Sequence, residues 1–373
     1  PHKDSMKKIV VIGGGFAGVN IARDLGRNPA YSITLIDKNN YNFFPPLIYQ
    51  VAAGFMSPSD ISYPFRKLFN RHPRVRFRKG TVTRVDCNAR HVFLEQGGSV
   101  EYDTLIIALG SQPNYFGNRE VEQNAYTMKT LGDALAIRNT ILRQLEEACS
   151  IDKNARAPYL HLVVAGGGAS GVELTGILAE MRRDIFSKDY PELEGDHGRL
   201  TLVTADPVLL PPMREVSQRY TEAALKKLGA EIIYNDAVTA YDGQTITLKS
   251  GATLAAKSLI WTAGVTAVKL AGIPESCYGR GNRLRVDRQL RVQGLENVYA
   301  VGDCALVEGD PDYPNGHPQL GQVAKAQGKY LGKYFGREGK PFTYKHKGDM
   351  AMIGRLSAVA DLPGGRSVHG VIA

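Results

Sequence analysis

The pattern Gly-x-Gly-x-x-Gly occurs twice, at Gly13, Gly15 and Gly18 and again at Gly166, Gly168 and Gly171. Glycines at this spacing, between a strand and a helix, permit a tight turn, close approach of backbone to a pyrophosphate, and close helix–strand packing. The helix N-terminus that follows favours the phosphate charge. The chemistry on offer is dinucleotide binding, twice. Asp37 ends the apolar run after the first turn, where a carboxylate can accept hydrogen bonds from ribose hydroxyls. Alignment of Ile33 to Asp37 with Leu200 to Thr204 puts Thr204 at the corresponding place after the second turn, with Asp206 the nearest carboxylate. A hydroxyl there removes the charge that repels a 2′-phosphate, so NADPH stays open beside NADH. Glu173, two residues past the second turn, falls on the first helical turn. The bland alternatives are a degenerate second copy that binds nothing, and a Glu173 that only answers the helix dipole.

Such turns demand β-α-β units. The first is predicted from Lys8 to Ile12, a helical stretch from about Val19, and Ile33 to Ile36; the second from His161 to Ala165, a helix from Val172 to about Phe186, and Leu200 to Val203. Between them, the alternation of Arg74 to Arg78, with Val82, Val85, Val92 and Leu94, suggests a small antiparallel sheet. Thr104 to Ala108 then leads into Leu109-Gly110, a progression repeated by Glu231 to Tyr234, Thr245 to Leu248 and Ser258 to Trp261 before Thr262-Ala263-Gly264. Late in the chain, Asn297 to Val301 reads as a buried strand ending in Gly302-Asp303, Leu320 to Phe335 as a helix, and Tyr344 to Ala373 as two or three short strands. Gly302-Asp303 stands where a two-dinucleotide flavoprotein returns to its first domain, so Asp303 can meet the ribityl chain of FAD; alone, the dipeptide is an ordinary strand-end turn.

Composition is compatible with this α/β reading. The 373 residues are 43% hydrophobic and 22% charged, enough for two or three packed units. The four cysteines, Cys87, Cys149, Cys277 and Cys304, have no CxxC or metal-ligand spacing and read as reduced thiols in a cytosolic setting; no metal is expected. The five residues before Met6 read as an appended remnant. No run approaches the roughly 20 apolar residues that span a bilayer, so the chain is not expected to pump protons by itself. The net charge of +9 fits an anionic surface or no partner at all. The basic stretch Arg66, Lys67, Arg71, Arg74, Arg76, Arg78 and Lys79 is read as a solvated edge strand before a lipid-facing patch, and not as nucleic-acid binding, because no such module accompanies it.

Several segments resemble the type II, non-pumping NADH:quinone oxidoreductases over nearly the whole chain. They are Phe44 to Ala52 (Phe-Pro-Pro-Leu-Ile-Tyr-Gln-Val-Ala), Gly166 to Glu173, Trp261-Thr-Ala-Gly-Val265, Val301-Gly-Asp-Cys-Ala305, Gln322-Val-Ala followed by Gln327-Gly, and Met350 to Arg355. The resemblance implies a glutathione-reductase-like fold of two Rossmann-like domains with a small C-terminal unit. The expected boundaries are 6–117 and 266–335 for the FAD-binding domain, 118–265 for the NAD(P)H-binding domain, and 336–373 for the C-terminal unit. FAD is expected on Gly13, Gly15, Phe16, Ala17, Gly18, Asp37, Lys38, Val82, Ala108, Gly110, Gly302, Asp303 and Gln322, and NADH on Gly166, Gly168, Gly171, Glu173, Thr204, Ala263 and Gly264. Glu173 and Gln322 are the candidate catalytic residues, and Tyr49, Gln50, Gln322 and Gln327 the candidate quinone contacts. A core-aromatic role remains open for Tyr49.

The resemblance further implies NADH oxidation with electron transfer to a membrane quinone and a peripheral place on the cytoplasmic side of the cell membrane, and it leaves a homodimer open. Three departures stand out. Where the family repeats a glutamine four residues after the first, this chain has Ala326, with Gln327 one later; Thr204 replaces the ribose acid; and the chain stops at Ala373, ahead of the family's amphipathic membrane anchor, so that it reads as truncated and is expected to be soluble. Two rivals stay open. A sulfide:quinone oxidoreductase needs a redox cysteine pair at the flavin, and only Cys304 lies in a flavin motif, while disulfide reductases need a Cys-x4-Cys that is missing after the first unit. A flavin-bound NADH sensor with slow turnover is the other.

Overall fold

The computed structural model describes residues 6–337, 339–371 and 373; the five residues before Met6, read above as an appended segment, lie outside the described residues. The chain forms two compact units, one made of the residues up to Phe43, Ser62–Gln112 and Thr266–Lys345, the other of Phe44–Ile61, Pro113–Val265 and His346–Ala373. This division differs from the expected boundaries chiefly in two places: residues 44–61 cluster with the second unit, and so do the residues from His346 onward.

The first unit is built on a five-stranded sheet. Lys7–Ile12 lies between Tyr31–Asp37 and Thr104–Ile107, with Val298–Ala300 and Val75–Lys79 at the two edges. All four pairings are parallel. Ile9 to Ile12 and Ile33, Leu35 and Ile36 are buried, which is why their sequence reads as continuous apolar runs. Val75–Lys79 was expected in an antiparallel sheet. It is instead the outer parallel strand, and its alternation arises because Val75 and Phe77 turn to the core while Arg76 and Arg78 face solvent. The antiparallel sheet is confined to Val82–Asp86, His91–Leu94 and Ser99–Glu101. Helix Phe16–Leu25 begins directly at the glycine turn, earlier than expected, and packs along helix Gly321–Tyr334.

The second unit repeats the plan. Its sheet runs Tyr126–Thr127, Ser258–Trp261, His161–Ala165, Arg199–Val203, Glu231–Ile233 in spatial order, again parallel. Helix Ala169–Met181 starts within the second glycine turn and gives way to a single π-helical turn, Arg182–Phe186, in place of a straight helix to Phe186. Helix Leu131–Ser150, absent from the sequence reading, is closed at its start by a capping box: Thr130 accepts from the Asp133 amide while Asp133 accepts from the Thr130 amide. The residues after His346 supply a three-stranded antiparallel sheet, Asp349–Met352, Ala358–Leu362 and Arg366–Gly370. Among the described residues no helix is long and apolar enough to cross a membrane.

Candidate functional site

The two glycine turns superimpose in their bonding. Gly13 donates to the Ile36 carbonyl and Gly166 to the Val203 carbonyl, each at 2.8 Å, and the next strand joins likewise, Ala108 to Ile12 and Thr262 to Ala165. Each glycine has its own reason to be one. Gly13 and Gly166 have φ of +100° and +120°, which disfavours any side chain. A Cβ at Gly18 or Gly171 would fall on the carbonyl oxygen of Gly13 or Gly166, so these two allow helix and turn to close. Gly15 and Gly168 are different. Their φ values of −80° and −77° suit any residue, and a Cβ there meets no protein atom within 4 Å. Nothing in the chain's own packing requires glycine at these two positions. The open space before each helix N-terminus fits a phosphate group approaching the backbone closely, and both turns therefore pass the test for a dinucleotide.

Around the first turn, Asp37 Oδ2 accepts from the Gly14 amide at 2.7 Å and Oδ1 from Asn39 at 2.8 Å. Burial raises its pKa against these hydrogen bonds and the Lys38 charge; each carboxylate oxygen keeps a lone pair for a ribose hydroxyl. Asn42, missed in the sequence, donates Nδ2 to the Gly14 carbonyl. Val82 lies half-buried in its strand, the Ala108 carbonyl packs against Gly13 where a Cβ would fall, and Gly110 has φ +68°. The late strand brings Gly302, with φ +77°, and Asp303 to the same unit. Asp303 Oδ2 accepts from Ser111 Oγ at 3.0 Å and its carbonyl from Gln319 Nε2, two further residues that sequence reading overlooked.

Gln322 and Gln327 share helix Gly321–Tyr334 but differ in setting. Gln322 is half-buried, whereas Gln327 is 0% exposed and its Oε1 accepts from the Gly302 amide at 2.7 Å. Gln327 thus braces the Gly302-Asp303 turn from inside, and its Nε2 is buried without a partner among the described residues.

Around the second turn, Thr204 is 2% exposed and its side chain packs over Gly167, the place that Asp37 takes beside Gly14. Its Oγ1 accepts from the Asp206 amide at 3.2 Å, leaving Asp206 as the exposed carboxylate. Ala263 and Gly264 follow the strand Ser258–Trp261, and the Gly264 carbonyl accepts from the Asn114 amide.

Glu173 Oε1 accepts from the Met352 amide at 3.1 Å, and burial raises its pKa to about 7, opposed only by that hydrogen bond. Tyr49, on helix Ile48–Ala52, lies against it: burial and the Glu173 charge push the phenol up to about 12, while a hydrogen bond with Ser170 works the other way. Tyr49, Ser170 and Glu173 thus form one polar group, with Ser170 at its exposed side. A carboxyl held near neutrality can give or take a proton at working pH. Gln50 follows Tyr49 on the same short helix.

No disulfide joins the cysteines: all four are free thiols. Cys304, beside Asp303, is buried, bonded to the Ile107 and Val301 carbonyls, and pushed up to about 11 by desolvation. It is a core thiol, not a nucleophile.

The family described as pyridine nucleotide-disulphide oxidoreductase matches residues 7–328. The chain is 35% identical over 368 residues to the type II NADH:quinone oxidoreductase Ndh of Mycobacterium tuberculosis, covering 95% of this chain and 79% of that protein. It is 36% identical over 370 residues to NdhA of the same organism, covering 95% and 78%. Among solved structures, that of NDH2 from Plasmodium falciparum in complex with NADH has a TM-score of 0.88 at 23% identity, over 98% of this chain and 91% of the other. The sulfide:quinone oxidoreductase of Aquifex aeolicus has a TM-score of 0.75 at 21% identity, over 98% and 87%. Those two likenesses carry the fold, and the curated relatives decide within it: the chain belongs to the pyridine nucleotide-disulphide oxidoreductase family and, inside it, to the type II NADH:quinone oxidoreductases.

Proposed function

We propose that this protein oxidises NADH with FAD as its resident cofactor and delivers the electrons to a quinone, without pumping protons. The observation that carries the reading is the pair of glycines, Gly15 and Gly168, for which the chain's own packing gives no reason, each set at a helix N-terminus. One turn serves FAD and the other the nicotinamide nucleotide. The chemistry that bound FAD supplies is acceptance of two electrons from NADH and their release to a quinone. Everything else falls to the side chains. The Gly14 and Gly15 backbone, with Asp37, holds the adenosine end of FAD, and Asp303, steadied by Ser111 and Gln319, receives the ribityl hydroxyls. Glu173, with Tyr49 and Ser170 beside it, holds a proton near neutrality and moves it as the charge on the reacting pair changes. Gln322 faces the quinone from its helix. A quinone dissolved in the bilayer places the work at a membrane surface, and NADH places it on the cytoplasmic side.

The reading is tested by steady-state turnover of NADH and NADPH with a water-soluble quinone, alongside stopped-flow reduction of the flavin. NADH-driven flavin reduction followed by quinone-dependent reoxidation is expected. Fast reduction with no quinone effect would instead favour a sensor, and sulfide-driven reduction with no response to NADH a sulfide oxidase. Nucleotide choice is expected to turn on Thr204. In Thr204→Asp, a carboxylate against the Gly167 amide restores the repulsion of a 2′-phosphate, so the ratio of NADPH to NADH kcat/KM should fall roughly tenfold; an unchanged ratio moves the discrimination to Asp206.

A further inference from the structure

Glu173, Gly176 and Glu180 lie on one face of helix Ala169–Met181, spaced three and four residues apart. That face docks on the C-terminal sheet at three successive points. Glu173 takes the Met352 amide at 3.1 Å. Gly176 lets the backbone of the following turn come close, since a Cβ there would sit 2.6 Å from the Gly354 nitrogen. Glu180, 5% exposed, takes both the amide and the Nε of Arg355 on one oxygen, at 3.0 and 2.9 Å.

Arg355 is held from two other directions. Its Nη2 meets Asp184 Oδ2 at 2.6 Å, on the π-helical turn that ends the helix, and its guanidinium lies 3.8 Å from the centre of the Phe55 ring. The turn it occupies is closed by Ile353 donating to Ser357 at 2.8 Å, with Gly354 at φ +72°. Backbone and side chain of one residue thus grip one buried carboxylate, while the planar fork sets Nε on Glu180 and Nη2 on Asp184 at once, a two-carboxylate geometry that a lysine ammonium does not reproduce.

We infer that Arg355 is a positioning residue for the reaction: clamped by Glu180, Asp184 and Phe55, it fixes the turn that presents the Met352 amide to Glu173. The inference rests on the reading of Glu173 given above. The titratable group facing Glu173 from the neighbouring helix is Tyr49; on the sheet side its partner is the uncharged Met352 amide. Loss of that amide removes the one contact that favours the ionised carboxylate, so Glu173 keeps its proton to higher pH.

The test uses the holoenzyme carrying Arg355→Met and Arg355→Lys, each also combined with Glu173→Gln. Hydrogen exchange at the Met352 amide should quicken about tenfold or more in Arg355→Met, with Arg355→Lys between it and the parent. The midpoint of the pH profile for NADH turnover should move upward in Arg355→Met and return toward the parent in Arg355→Lys. In the Glu173→Gln background the Arg355 substitution should change turnover little, because the two act as one unit. Unchanged exchange at Met352, an unmoved or lowered midpoint, or fully additive losses overturn the inference. If Glu173→Gln alone leaves turnover intact, the catalytic reading of Glu173 has failed, and the exchange measurement still decides the clamp. Should Arg355→Met not fold, Phe55→Leu removes only the ring beneath the guanidinium and carries the same expectations at smaller size.

Discussion

Gly15→Ala is expected to weaken the protein's hold on its flavin without unfolding it. The added methyl group meets no protein atom within 4 Å, and the backbone at −80° suits alanine, so the apoprotein should melt within a degree or two of the parent. The methyl does, however, fill the space through which a pyrophosphate reaches the turn, a steric cost of about 1–3 kcal/mol, or roughly 5- to 150-fold in affinity. Gly18→Ala makes the contrast. Its methyl falls on the Gly13 carbonyl oxygen, so helix and turn must separate and the fold itself should lose about 3 kcal/mol or more. Absorbance of bound flavin after purification, set beside thermal melting of apoprotein, separates the two. The second turn offers a matching pair: Gly168→Ala should raise KM for NADH with flavin retained, and Gly171→Ala should destabilise the second unit. A Gly15→Ala protein that binds FAD as tightly as the parent in a titration of the apoprotein would put the cofactor elsewhere.

The glycine turns were legible because their constraints are local, within six residues of chain. So was the exchange of Asp37 for Thr204, and the register bears that alignment out: Ile12 pairs with Ile36 and Ala165 with Val203, so Asp37 and Thr204 each follow the same sheet position. Strand types were less secure. Val75–Lys79 alternates because it is a sheet edge with one wet face, and alternation reports half-burial, which an outer parallel strand shares with an antiparallel one. The groups that hold the site together left no local trace. Ser111 and Asp303 are 192 residues apart in sequence, Glu180 and Arg355 are 175 apart, and neither pair has a period or spacing to betray it. Gln327 misleads in the other direction. Its place beside Gln322 on one helix suggests a shared pocket, yet the helix turns it inward, to the Gly302 amide.

Glu173→Gln should slow quinone turnover roughly 100-fold while making the protein more stable at alkaline pH. Both effects come from one carboxyl, held buried with its pKa raised from 4.5 to about 7. Between those pH values the folded protein keeps a proton that the unfolded chain has already released. Stability is therefore fully present below the lower value and declines as pH rises through the upper one, by up to roughly 3 kcal/mol. Glutamine is neutral throughout and its amide oxygen can still accept from Met352, so its stability should be flat across the same window and its melting temperature at pH 8 a few degrees above the parent. Turnover should lose the limb near neutral pH that Glu173 supplies. A group kept only for packing would show the alkaline gain in stability without the rate loss: the glutamine variant would match the parent in rate and in the absorbance of the NADH–flavin complex, and Glu173 would leave the mechanism. A rate loss together with an alkaline gain in stability is the mark of a charge that the fold tolerates for the reaction's sake.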